Sequence, residues 1–202
     1  MIDPHRHERH VTGFGLVTFR PVDPDADADV IHSWVSQERA KFWGMRDADR
    51  ERVADIYRYV DSLSTHHAYL TLRDGHPVAL FQTYEPEHDP IGTCYPVRPG
   101  DHGGHLLIGT PVRPEPGFTG VLLAEFVAFV FADRSRLRLV MEPDARNDKA
   151  INRLRRTGFV DGPLVDLPDK RARLMFLDRA TQPLLPGRDG GTQARSQRSD
   201  SA

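Results

Sequence analysis

The chain has 202 residues, a formal net charge of −2 and one cysteine, Cys94. That length suits one domain with a tail and can bury a proper core. The charge argues against large sequence-independent affinity for nucleic acid, and a lone cysteine excludes intrachain disulfides and multi-cysteine zinc sites.

Residues 1–12 are polar and His-rich, with no signal-peptide core, and read as a disordered leader. His5, His7 and His10 within it are expected to be solvated rather than metal-bound, and no metal site is predicted. No apolar run approaches the length of a membrane span, so a cytoplasmic protein is expected. Residues 15–22 alternate and are β-rich, predicting a first strand. The acidic, Pro-containing stretch 23–29 starts a helix that carries Val30, Ile31, Trp34 and Val35 and ends near 42–45. Trp34 and Trp43 fit either the core or the wall of an apolar channel. From Asp47, Val53, Ile56, Tyr57, Val60 and Leu63 keep helical spacing. Residues 67–72 and 76–84 form a hairpin across Asp74-Gly75. Residues 85–100 are a Pro-rich loop.

The stretch 103–130 organises the rest. Residues 105–112 are mostly apolar, as in a strand buried on both faces. Residues 113–120 hold Pro114, Pro116, Gly117 and Gly120 and make a turn. From Val121 the apolar residues recur at helical spacing, with Thr119 as the expected N-cap. A helix opening at such a loop offers unpaired N–H groups and a positive dipole end, which suit an anion such as phosphate. Residues 137–142 are the next strand, 148–157 a short helix capped by Gly158, and Phe159 begins a strand broken at Gly162-Pro163. Residues 165–167 and 172–178 close the sheet around Pro168-Asp169. From Pro186 almost nothing is apolar, so 184–202 reads as a disordered tail behind a domain at 13–183. The order β, α, α, β, β, β, α, β, α, β, β predicts an α/β fold with a mixed central sheet and helices on both faces.

This order, with an anion-binding turn after the fourth strand, resembles the GNAT N-acyltransferase family. Asn147-Asp148-Lys149-Ala150-Ile151, then Leu154 and Gly158-Phe159, are similar to that family's fourth helix and its exit. The resemblance implies splayed fourth and fifth strands that admit a pantetheine arm. It implies no permanently bound cofactor, with acyl-CoA or an acyl carrier protein as donor; no nucleic-acid partner is expected, on the net charge. Its phosphate loop maps onto Arg113, Gly117, Phe118, Thr119 and Gly120, with the basic residue one place early and the last glycine one place late. Asn147 is expected both to cap its helix and to contact coenzyme A.

Five further motifs occur in order: His32-x-Trp34, Phe42-Trp43, His105-Leu106-Leu107-Ile108-Gly109, Glu142-Pro143-Asp144-x-Arg146-Asn147 and Leu167-Pro168-x-Lys170-x-Ala172-x-Leu174-Met175. They resemble the siderophore-biosynthesis branch of the family, whose members acylate the side-chain amine or hydroxylamine of lysine, N6-hydroxylysine or a related diamine. The resemblance makes His105 and Asp144 the catalytic pair and puts Trp34, Trp43 and Lys170 near the acceptor. A lysine amine titrates near pH ~10.4, so a base must take its proton at neutral pH; imidazole suits that role. Asp144 either orients His105 or holds the acceptor amine. His105 at the start of one strand and Asp144 past the end of the next parallel strand lie apart in the simplest geometry; an earlier strand start or a splay brings them together. His102 is the weaker alternative base. The oxyanion donor is expected from backbone N–H groups in the region 108–112. Two other functions fit the same fold: an aminoglycoside 6'-N-acetyltransferase, with an acidic cleft for a polycation, and a non-catalytic binding module.

Overall fold

The structure is a computed structural model that describes residues 7–110 and 115–181. Among these the chain builds one 8-stranded sheet, in the order β1-β2-β3-β4-β5-β6-β8-β7. The strands are β1 (His7–Val11), β2 (Gly15–Pro21), β3 (His66–Arg73), β4 (His76–Tyr84), β5 (Asp101–Ile108), β6 (Arg138–Met141), β7 (Val160–Asp166) and β8 (Arg171–Asp178). The helices are α1 (Ala28–Val35), α2 (Arg50–Asp61), α3 (Phe118–Val130) and α4 (Asp148–Arg156), with a 3-10 helix at Glu38–Trp43 after α1. The predicted α/β order holds, with one strand added in front.

Alternation along the strands sorts side chains to two faces. Phe19, Phe81, Leu139 and Met141 pack with Leu122, Phe126 and Val130 of α3 and Ile151 and Leu154 of α4. Their neighbours Leu70, Leu80 and Leu107 point the other way, onto Ile31, Trp34 and Val35 of α1 and Val53 and Tyr57 of α2. A third cluster, around Tyr84, Ile91, Tyr95 and Val140, lies under residues 85–100.

Several elements differ from expectation for identifiable reasons. His7–Val11 is a strand, not part of a disordered leader: β1 pairs antiparallel with β2, from His7↔Phe19 to Val11↔Gly15. Polar composition hid it because its inward side chains are polar. His7 Nε2 and Arg9 Nη1 lie 3.1 and 3.2 Å from the carboxylate of buried Glu125 on α3. The helix expected to run to 42–45 ends at Val35 and gives way to the 3-10 helix, which stops at Gly44 with φ +82°. Residues 160–166 stay one strand, because Gly162-Pro163 is absorbed as a register shift between Asp161 and Leu164. The expected tail at 184–202 and the end of the predicted 105–112 strand lie outside the described residues.

The sheet is antiparallel except at its centre, where β5 and β6 run parallel. Their bases are locked by Arg138, whose Nε and Nη2 donate to the two Asp101 oxygens at 2.7 and 2.6 Å. Their pairing ends at Gly103↔Val140 although β5 continues to Ile108. Beyond that point the chain after β6 stays with β8: Arg173 N–H donates to Pro143 O, and Ala145 N–H to Arg171 O. The two central strands therefore diverge and leave a gap along Gly104–Ile108, which is the predicted splay.

Candidate active site

Strand β5 starts at Asp101, four residues earlier than the apolar pattern suggested, so His105 sits in mid-strand beside the gap. The polar Asp101-His102-Gly103-Gly104 start concealed this. Its glycines are structural. A Cβ on Gly103 would overlap the Tyr84 ring, and one on Gly104 would crowd Phe126 of α3. Without side chains there, Tyr84 lies across β5 and α3 packs close beneath it.

His105 points to the same face as Leu107, toward the 3-10 helix, with the Trp43 ring edge-on at 6.1 Å between centroids. Its Nδ1 lies 3.2 Å from Gln82 Oε1, and its Nε2 is hydrogen-bonded to Glu142 Oε1 across the gap. Glu142 is buried, and Tyr84 donates its hydroxyl to the other Glu142 oxygen at 2.7 Å. Lys170, from the β7–β8 turn, brings Nζ to 3.6 Å of Glu142 Oε1. Burial alone would raise the Glu142 pKa; the His105 charge and hydrogen bond, Lys170 and Tyr84 together pull it down to about 2. Glu142 is thus a fixed carboxylate that orients the His105 ring through Nε2, while Nδ1 faces the Gln82 side-chain amide. Burial and Glu142 hold the Tyr84 phenol well above its ordinary range, so it stays a donor.

The expected pairing of His105 with Asp144 is not what the structure shows. Asp144 accepts from Arg146 at Nε and Nη2 (2.9 and 2.7 Å) and from the Arg146 N–H at 2.8 Å. The Arg146 hydrogen bond, above all, lowers its pKa against a smaller opposing effect of burial. The strand register explains the exchange: β6 brings Glu142, two residues before Asp144, level with His105. Both carboxylates stand in the quoted Glu142-Pro143-Asp144 motif, so the motif located the site while the register selected the partner. Tyr84 and Gln82 carry no motif; only the register pairs of β4 with β5, Tyr84↔Gly103 and Gln82↔His105, identify them.

The remaining candidates fall as follows. Trp34 is buried in the core with its ring against Gly109, so it is a packing residue and not the wall of an open channel. Lys170 is brought to the site. His102 is removed as a base: it is buried, and burial, then Arg136 and His67, push its pKa down to about 3. Asn147 caps α4, accepting from Ala150 N–H at 3.2 Å.

Gly117, not Thr119, is the N-cap of α3; its φ of +82° ends the turn and lets the helix begin at Phe118. Phe118 N–H donates to Glu115 O and Val121 N–H to Gly117 O. Between them, the N–H groups of Thr119 and Gly120 have no backbone acceptor among the described residues, which makes a donor pair at the positive end of α3. Phe118 itself packs on Phe14 (5.4 Å) and its N–H is taken by Glu115 O, so it stays outside the donor pair. Arg153 of α4, missed in the sequence, places Nη1 3.9 Å from where a Gly120 Cβ would sit. Arg113 lies outside the described residues.

On β5, Gly109 N–H donates to Val78 O, so by strand alternation the N–H groups of Leu106 and Ile108 face the gap. Within the expected oxyanion region this retains Ile108 and removes Gly109. A splay with inward N–H groups, a helix N-terminus at its mouth and a histidine–carboxylate pair beside it can hold a phosphate-bearing thioester and deprotonate a nucleophile.

The model of the Acetyltransferase (GNAT) domain family matches residues 23–167. The chain belongs to this family. An N(6)-hydroxylysine O-acetyltransferase of Escherichia coli is 27% identical to it over 81% of the chain and 52% of that protein. A lysine N-acyltransferase of Mycobacterium sp. (strain MCS) is 27% identical over 84% of the chain and 70% of its own length. The chain thus spans about half of the Escherichia coli relative. Among solved structures, an uncharacterised protein from Bacillus halodurans superposes with a TM-score of 0.81 at 27% identity, covering 89% of this chain and 93% of the other. The aminoglycoside acetyltransferase AAC(6')-Ib in complex with coenzyme A gives 0.68 at 21% identity, over 82% of this chain and 96% of that one, a likeness of fold. In this GNAT domain no group of three or more His, Cys, Asp or Glu able to hold a metal ion occurs among the described residues, and no helix there is long and apolar enough to cross a membrane.

Proposed function

We propose that this GNAT domain is an N-acyltransferase that moves an acyl group from a pantetheine thioester to the side-chain amine or hydroxylamine of a lysine-type acceptor. Acyl-CoA is the donor in this reading, with an acyl carrier protein as the equivalent source of the same arm. The observation that carries it is the buried Glu142 carboxylate, which fixes His105 beside the β5–β6 gap. The acceptor nitrogen attacks the thioester carbonyl. His105 takes its proton, the N–H groups of Leu106 or Ile108 receive the oxyanion, and collapse expels the thiolate, which the imidazolium then protonates. The donor's phosphates rest on the N–H groups of Thr119 and Gly120, beside Arg153.

Two observations favour a lysine-type acceptor over an aminoglycoside. The two relatives above are named for activity on lysine or hydroxylysine. The two carboxylates nearest His105 are also already matched by cations, Glu142 by Lys170 and Asp144 by Arg146, which leaves neither of them free for a polycation.

The test is free-thiol release from acetyl-, succinyl- and a medium-chain acyl-CoA, with lysine, N6-hydroxylysine, cadaverine, N-hydroxycadaverine and kanamycin as acceptors. Release with a lysine- or cadaverine-type acceptor, lost in His105→Ala, is the expected result. Release with kanamycin alone contradicts the acceptor class. Absence of release with every acceptor, despite coenzyme A binding, contradicts CoA as the donor and directs the test to a carrier-protein thioester or to the non-catalytic reading.

A further inference from the structure

We infer that Gln82 selects the nucleophile: its amide oxygen and His105 Nδ1 together hold a nitrogen group that carries two hydrogens. This rests on the acyl-transfer reading. It gives a side chain that no motif marks the choice between primary and secondary amines.

Three neighbouring strands set a row of side chains across the His105 face. Ala68 pairs with Gln82, and Gln82 with His105. The next row, Leu70, Leu80 and Leu107, is buried and apolar. Gln82 is thus the amide of a row that ends on the imidazole. Its Oε1 lies 3.2 Å from Nδ1, and among the described residues its side chain makes no other hydrogen bond.

Glu142 already occupies Nε2. With its pKa held at about 2 it stays ionised, so the proton of that contact belongs to the ring. A neutral His105 then has its lone pair at Nδ1, facing the lone pairs of Gln82 Oε1. Two hydrogen-bond acceptors 3.2 Å apart repel unless a donor joins them. A nitrogen about 3 Å from both satisfies both if it brings two hydrogens. A neutral primary amine does so and keeps its own lone pair for the thioester carbonyl. A hydroxylamine does so with one N–H and its O–H. As the C–N bond forms, one hydrogen passes as a proton to Nδ1 and its bonding pair stays on nitrogen. The other hydrogen keeps its bond to Gln82. A secondary amine has a single hydrogen to give and leaves Gln82 Oε1 unmatched.

The experiment measures kcat/KM for the active nucleophile and for its counterpart with one hydrogen fewer, in wild type, Gln82→Met and Gln82→Glu. The counterpart of an amine is its N-methyl form, and that of a hydroxylamine its O-methyl ether. Wild type is expected to prefer the two-hydrogen member by about 10-fold, the scale of one hydrogen bond in a desolvated site. In Gln82→Met that member should lose about 10-fold and the counterpart little, so the preference collapses. Gln82→Glu places an anion beside Nδ1, which favours the protonated ring. The acid limb of its kcat/KM profile should move to higher pH, with activity returning as pH rises, a recovery that a misfolded variant does not show. Equal use of both members by wild type, or equal losses for both in Gln82→Met, overturns the inference and leaves acyl transfer standing. A gain of activity in Gln82→Met also overturns it, because the amide then caps Nδ1 instead of sharing the nucleophile. An unmoved acid limb in Gln82→Glu overturns the placement of Gln82 beside the reacting nitrogen. Undiminished transfer by His105→Ala overturns both readings.

Discussion

His102 and His105 share one strand, three residues apart, and have opposite fates. His105 is part-exposed and held by a carboxylate. His102 is buried, 6% exposed, and its Nε2 has no hydrogen-bond partner among the described residues. Because its folded pKa is about 3, against 6.5 for the free side chain, the unfolded chain takes up a proton below pH 6.5 that the folded chain refuses. Stability must therefore fall on acidification between those values. At pH 5, 1.5 units below the free value, the loss is about 2 kcal/mol at ~1.36 kcal/mol per unit. Urea unfolding at pH 7 and pH 5 checks this. The wild-type decrease should exceed that of His102→Gln by about 2 kcal/mol; equal decreases contradict it. Lys170 faces Glu142 from the β7–β8 turn. Lys170→Met removes one of the charges that keep Glu142 ionised, and should lower kcat several-fold with little change in the KM for acyl-CoA.

At the scale of elements, the site depends on a close crossing and on an edge strand. Gly103 lets Tyr84 lie over β5 and reach Glu142. Gly103→Ala must move that ring, costing about 1–3 kcal/mol in stability. It should also lower kcat, since the Tyr84–Glu142 hydrogen bond is disturbed. A melting temperature unchanged from wild type would show that the crossing tolerates a methyl group. Strand β1 matters through Glu125, which is 3% exposed and faces His7 and Arg9. Starting the chain at Gly13 removes both partners of that carboxylate together with the strand that carries them, and should cost about 3–5 kcal/mol where the carboxylate stays desolvated. Adding Glu125→Leu to the shortened chain should recover most of it. Failure of that rescue, with the full loss intact, would place the contribution of β1 in its backbone pairing with β2.

For the whole molecule, the alternation of helices and strands, the loop before α3 and the five motifs were enough to read the fold and to single out His105, Lys170 and Asn147 as candidates. The elements that escaped did so because their signal is not local. β1 looks like a polar leader until its inward His7 and Arg9 are set against Glu125, more than a hundred residues away. Glu142 looks like the end of an apolar strand until register lines it up with His105. The N-cap moved from Thr119 to Gly117 because positive φ is a property of the folded turn. Each miss is a long-range pairing or a backbone angle that composition does not encode. In the proposed function, the β5–β6 gap, the α3 N-terminus and the His105–Glu142 pair form the acyl-transfer centre, with a buried carboxylate and an imidazole acting as one unit. The direct measurement is thiol release from acyl-CoA with the active acceptor for wild type, His105→Gln, Glu142→Gln and the double variant. The account predicts that His105→Gln loses about 10²–10⁴-fold in kcat. Glu142→Gln should lose a comparable amount, and the double variant no more than the worse single one. Undiminished transfer by His105→Gln, or losses that multiply in the double variant, would contradict it.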